Sequence, residues 1–222
     1  MPSPPLPEPA ADAKAELHEH QFVINNPPAS PQGLLNIPRT VDRAVSLAPA
    51  HEAALFNEAI AGLSGRDEEA AVHFRRALTL FETVDDQMGI GVAYSNLAEY
   101  YCESGDYEKS LACCWRSLRA CRRTGDTDIM TSAWLIMGHV HQNRAELTRS
   151  LACYRTAARL SAAIEHRYKR AVALSSAAEV HLERGSRDDA VRAWREALEL
   201  LDVLGHPSAD EVRARLEAVA AT

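Results

Sequence analysis

The chain has 222 residues, of which 46% are hydrophobic, 25% charged and only 6% aromatic, and its formal net charge is -7 at pH 7. That apolar content excludes wholesale disorder, and the acidic balance excludes the basic footprint on which duplex-DNA binding depends, while leaving room for an acidic groove that takes a basic peptide. No run approaches the ~18 consecutive apolar residues of a membrane span, and the opening MPSPPLPEPAADAK has neither a basic nor an apolar signal region, so a cytoplasmic protein without membrane contact is expected.

Proline divides the chain. Ten of the 11 prolines lie at or before Pro49, and the only later one is Pro207. Proline removes a helix donor and clashes with the preceding turn, so the stretch from 50 to 206 is free to form uninterrupted helices. It is also rich in Ala, Leu, Glu and Arg, the strong helix formers. Residues 1–36, with PSPPLPEP and NNPPASPQG, read as a flexible Pro-rich tail around one short helical candidate, ADAKAELHEH. Within it QFVINNPPASPQGLL has the composition of a segment that could dock in a groove of this or a neighbouring chain. Residues 37–50 read as an N-terminal cap helix.

The body that follows, 51–208, is repetitive. Gly65, Gly105, Ala145 and Gly185 recur at a step of 40 residues, as do Ala70, Ser110, Ser150 and Ala190, and then Phe74, Cys114, Tyr154 and Trp194. Ala77, Ser117, Ala157 and Ala197 form a further column, and Glu58, Ala98, Gly138 and Ala178 another. A fixed period of this length is the signature of a solenoid, because one helix pair buries its faces only by stacking on the next. Tyr94, Leu97, Ala98 and Tyr101 illustrate the single apolar face at i, i+3, i+4, i+7. Small residues at 98, 138 and 178 let a second helix approach, and glycine after the first helix supplies its left-handed cap. Where Ala145 replaces that glycine, the turn must carry positive φ on an L residue or adopt another geometry. Residues 209–222 read as a C-terminal cap helix.

These columns resemble the tetratricopeptide repeat, whose W-x2-L-G-x2-Y…A-x3-F scheme is matched by Tyr94-Leu97-Ala98-Tyr101…Ser110-Cys114 and by Trp134-Met137-Gly138-His141…Ser150-Tyr154. The period departs from the family's 34, and the terminal proline is missing; longer helices joined by polar turns account for both. This long-period form is similar to the units of kinesin light chains and to the sensor modules of large actinobacterial transcription activators. The resemblance implies an all-α, right-handed α-solenoid of four helix pairs with capping helices, in which the first helices of successive units line a concave groove.

That register places Asn96, Glu99, Cys102, Glu103, His139, Gln142, Asn143, Glu179 and Glu183 in or beside the groove. Four glutamates, a histidine and amides suit a basic or hydrogen-bonding partner, though a merely solvated helix face has the same composition. A carboxylate clamp of the kind some family members use for acidic tails needs basic groove residues; here only Asn96 fits, and Glu99 would repel a carboxylate. The column Glu99, His139, Glu179 has chemistry suited to proton transfer or zinc, but no HExxH, GxSxG or phosphate loop accompanies it. His141 and His181 stand in a column of packed aromatics.

The second helices carry Arg75, Arg76, Arg116, Arg119, Arg122, Arg123, Arg155, Arg159 and Arg195, read as a solvated outer wall. The five cysteines form no zinc spacing, and Cys113 and Cys114 read as core fillers of a chain kept in a reducing compartment. The expectation is a non-enzymatic binding or adaptor module, with a sensor role in regulation as its narrower form. It would take a peptide or protein segment, with no cofactor, no metal, and no direct nucleic-acid or membrane contact. A homodimer is compatible with it. The alternatives are a homo-oligomerising scaffold and a biosynthetic enzyme using Glu99, His139 and Glu179.

Overall fold

The structure, a computed structural model, describes residues 67–83 and 85–220, and the expected tail, N-terminal cap helix and first helix of the first repeat lie outside them. The chain divides into two units, 1–84 and 85–222. Among the described residues it forms eight helices. In the first unit α1 (Asp67–Thr83) buries Ala71, Phe74, Ala77 and Phe81 along one face.

The second unit holds α2 (Gln87–Glu103), α3 (Tyr107–Thr124), α4 (Thr127–Asn143), α5 (Leu147–Ala163), α6 (Arg167–Glu183), α7 (Arg187–Leu204) and α8 (Ser208–Ala220). The fold is all-α. α2 with α3, α4 with α5 and α6 with α7 form sequential antiparallel pairs, α3 and α5 each packing also on the first helix of the next pair. The first helices α2, α4 and α6 are neighbours in turn, and α8 packs on α7.

Several helices start at a side chain that caps the first turn, while α5 and α7 start without a side-chain cap hydrogen bond. Asp86 accepts hydrogen bonds from the backbone N–H groups of Met88 and Gly89, Asp106 from Lys109, and Asp126 from Ile129. At the starts of α6 and α8 histidine does this: His166 Nδ1 accepts from Lys169 N and His206 Nδ1 from Ser208 N. Each cap satisfies one of the donors that a helix start leaves unpaired.

Left-handed residues then reverse the chain, in two columns. The turn inside each pair uses Gly105, Ala145 and Gly185, with φ of 79°, 56° and 76°. The turn between pairs uses Asp85, Gly125, Glu165 and Gly205, with φ of 52°, 76°, 56° and 59°. Ala145 thus keeps the glycine geometry and carries the strain of an L residue there, about 1–2 kcal/mol.

The small columns set how closely each pair packs. Ser110 Oγ donates to Ala98 O at 2.7 Å and Ser150 Oγ to Gly138 O at 2.9 Å, the same bond one repeat apart. Tyr154 and Trp194 fill the space beside these contacts and are buried. Gly138 is what admits the tyrosine: a Cβ there would lie 2.4 Å from Tyr154 Cε1. The last core joins Trp194 and Leu201 of α7 to Ala171 and Ala178 of α6 and to Ala209, Val212 and Val219 of α8. Cys113, Cys114, Cys121 and Cys153 form no disulfide and are buried, and desolvation holds the Cys121 and Cys153 thiols up at about 12 and about 11. They are inert packing groups rather than nucleophiles.

Candidate functional site

The first helices bring their C-terminal halves together around an open cleft of about 440 Å³. α2 contributes Cys102 and Glu103, α4 contributes His139, Gln142 and Asn143, and α6 contributes Glu179; Tyr107, the first residue of α3, completes the lining. Six of the nine sequence-chosen residues therefore share one cavity. Glu99 lies one turn below Glu103 on α2, outside the lining, and Glu183 stands one turn beyond Glu179. Asn96 is only 8% exposed and packs within the structure rather than on the cleft surface.

Core packing orients the cleft. The buried Tyr154 donates its hydroxyl to Gln142 Oε1 at 3.0 Å, and Gln142 Nε2 donates to Glu183 Oε1 at 2.5 Å, tying α5, α4 and α6 into one chain of bonds. His139 stands edge-to-face on the Tyr154 ring, with centroids 5.6 Å apart, and its Nε2 lies 3.5 Å from Ser176 Oγ. One tyrosine thus orients two lining residues, an arrangement that begins with the missing side chain at Gly138.

The electrostatics differ from end to end. Glu99 and Glu103 sit on the same face of α2 with no ion-pair partner among the described residues. Glu99 reaches solvent but is crowded by protein, and that desolvation lifts its carboxyl above the usual range. The Glu103 charge adds to the rise and Lys169 opposes it. Crowding likewise pushes the His139 imidazole below 6.5, so it is neutral at pH 7. The Cys102 thiol is raised by burial and then by both glutamates. At the other end Glu179 is paired with Arg215 of α8, and Glu183 has its amide donor.

Lys169 was not among the sequence-chosen residues. It is buried, and its Nζ meets Asp128 Oδ2 at 2.8 Å and Ser132 Oγ at 2.9 Å, bolting α6 to α4. Desolvation lowers its pKa, and Asp128 opposes the fall. It stands in the repeat column of Gly89 and Ile129, so a charged residue in an apolar column was the available signal. Tyr107 and Arg215 were also missed.

Among the described residues no three His, Cys, Asp or Glu side chains gather closely enough to hold a metal ion. Glu179 is engaged with Arg215 and His139 with the tyrosine ring, and Glu99 lies outside the cavity that His139 and Glu179 line. His141 is buried with Nδ1 at 2.8 Å from Glu146 Oε2, a packing and turn-fixing role. Arg116, Arg119, Arg122, Arg123, Arg155, Arg159 and Arg195 are exposed on second helices. No described helix is long and apolar enough to cross a membrane.

Stacked antiparallel pairs with small-residue seams, and a cleft lined by their first helices, are consistent with an α-solenoid of the tetratricopeptide kind. Residues 91–124, spanning most of α2 and all of α3, match the family described as tetratricopeptide repeat. Among solved structures the fold is similar to that titled "Crystal structure of MamA protein", with a TM-score of 0.51 and 16% identity over 83% of this chain and 93% of that one. At that identity the likeness concerns the fold alone. No curated protein matches the sequence. Neither match bears on the resemblance to kinesin light chains or to transcription-activator sensors.

Proposed function

We propose that the repeats form a binding module that takes a basic, hydrogen-bonding polypeptide segment in the cleft between α2, α4 and α6. The observation that carries this reading is the convergence of Glu103, His139, Gln142, Asn143 and Glu179 on one open cavity, with two further carboxylates at its edges. Tetratricopeptide repeats generally serve as protein-interaction scaffolds, which agrees with it. An extended segment crossing three first helices would meet carboxylates for its cations and amides for its backbone. The neutral imidazole of His139 adds a hydrogen-bonding group without repelling a cation. A role as an adaptor or sensor in regulation is the narrower form of the same reading.

Calorimetric titration with a lysine- and arginine-containing peptide, against an acidic peptide of equal length, tests it. The basic peptide should bind and the acidic one should not. Charge reversal in the double variant Glu99→Lys/Glu103→Lys should weaken binding by roughly 30-fold, or about 2 kcal/mol, as expected for charge pairs across an interface. Equal binding of both peptides, or an unaltered affinity in the double variant, would refute the reading.

A further inference from the structure

The last helix enters the chemistry of the cleft through one side chain. α8 is anchored without it: Ala209, Val212 and Val219 lie in the core with Trp194 and Leu201, and Arg213 pairs with Asp202 at 3.0 Å and with Asp210 at 2.5 Å. Arg215 does something else. It reaches past α7 to α6 and pairs with Glu179, the carboxylate that α6 contributes to the cleft. Both partners are partly exposed, at 47% and 38% of their side-chain surface. The guanidinium therefore satisfies one of the cleft's two lining glutamates, while Glu103 at the opposite wall has no ion-pair partner among the described residues.

We propose that Arg215 is a built-in occupant of the cleft, a competitor supplied by the chain itself that a basic partner must displace to use Glu179. The inference rests on the cleft's taking a basic segment, and it assigns the regulation of that same site to α8. A guanidinium already seated on Glu179 occupies the lone pairs that a partner's arginine would need. An exposed pair of this kind is weak, so the exchange is open, but it yields the partner little net attraction. Partner cations are thereby directed to the α2 wall, where no pair has to be broken. Because α8 stays docked through its apolar face, any shift or modification of the C-terminal helix changes the number of carboxylates on offer without unfolding the repeats.

The test is a titration of the full chain with a peptide carrying two arginines spaced to span the cleft, and with a second peptide carrying one. Arg215→Ala should bind the two-arginine peptide about fivefold more tightly than the unaltered chain and with a steeper salt dependence, the one-arginine peptide changing by less than about twofold. Arg215→Lys, which keeps the cation, should behave as the unaltered chain does, and unchanged circular dichroism should show α8 still folded. Equal affinities for Arg215→Ala and the unaltered chain would overturn the proposal and leave the binding reading standing. Weaker binding by Arg215→Ala would also overturn it, making Arg215 a positioning residue for Glu179. Failure of both peptides to bind either protein would remove the binding reading itself.

Discussion

The two ends of the cleft are built from the same repeat and finished differently. At the α2 end Glu99 and Glu103 stand together with no ion-pair partner among the described residues, and burial, then the Glu103 charge, raises the Glu99 carboxyl. At the α6 end the corresponding positions, Glu179 and Glu183, are answered by Arg215 and by Gln142. Two repeats, 80 residues of chain, separate Glu99 from Glu179 and Glu103 from Glu183, and the helices that carry them are superimposable in pattern. The difference lies in what borders them: α6 is followed by its pair partner α7 and by α8, whose arginine extends back over it. A repeat thus determines where the carboxylates stand, and its neighbours determine whether they remain available.

The largest expected effect breaks the comparison from its middle. Gly138→Ala would drive a methyl group into the buried Tyr154 ring, the group that orients His139 and Gln142 between the two ends. Overpacking of this kind destabilises by about 2 kcal/mol. Thermal or urea unfolding should register that loss, and the variant should also bind a basic peptide more weakly. Ala98 and Ala178 already carry the methyl group at the same column, facing Cys114 and Trp194, which shows that the sensitivity belongs to the pairing and not to the position.

A smaller effect sharpens the difference between the ends through pH. Glu99 has a folded pKa above 4.5, so its ionisation lags that of an ordinary carboxyl, and His139 has one below 6.5. Affinity for a cationic peptide should therefore rise with pH, as Glu99 ionises above 4.5 and as His139 sheds its proton below 6.5. The gain should be about 1 kcal/mol, roughly fivefold, and Glu99→Gln should flatten its more acidic part. Stability responds with opposite signs. The raised Glu99 pKa makes the fold lose stability as pH climbs from 4.5 through its folded value. The lowered His139 pKa makes the fold gain stability from its folded value up to 6.5. Binding and stability profiles should consequently diverge where Glu99 titrates and rise together where His139 does, and profiles that run parallel throughout would count against the assignment.

The smallest effect concerns the turn beside Asn143. Ala145 holds φ 56° where Gly105 and Gly185 hold 79° and 76°. Ala145→Gly relieves that strain but adds freedom to the unfolded chain, leaving a net gain of about 0.5 kcal/mol. Gly185→Ala should lose about 1 kcal/mol, since nothing lies within 4 Å of the added Cβ and the backbone alone objects. Unfolding curves of the two variants should move in opposite directions.

Much of this was legible in the residues because repetition supplies its own alignment. Gly105, Ala145 and Gly185 marked the turn, Ser110 and Ser150 the seam, and the polar residues of the first helices the cleft. Its register is inherited from the buried Leu97, Met137 and Val180 on those same helices. The second column of turns, at 85, 125, 165 and 205, was less visible, since two of its four members are acidic rather than glycine. Asn96 looked like a groove residue because it lies three residues before Glu99 on the same face of α2, yet it sits earlier along the helix, where it is buried. Arg215 escaped because α8 lies outside the repeat and has no register partner to reveal its reach. Tyr107 escaped because its column partners are Leu147 and Arg187, which give no hint of an aromatic wall. Lys169 was hidden by its own pairing: only the fold shows that Asp128 and Ser132 of another helix meet it.

The most direct measurement of the central claim is a nuclear magnetic resonance titration of the chain with a lysine- and arginine-containing peptide, followed through backbone amide shifts. Binding in the cleft predicts saturable shifts centred on Glu103, Tyr107, His139, Gln142 and Asn143, larger at the α2 wall than around Glu179. Shifts confined to the exposed arginines of α3, α5 and α7, or none at saturating peptide, would contradict it.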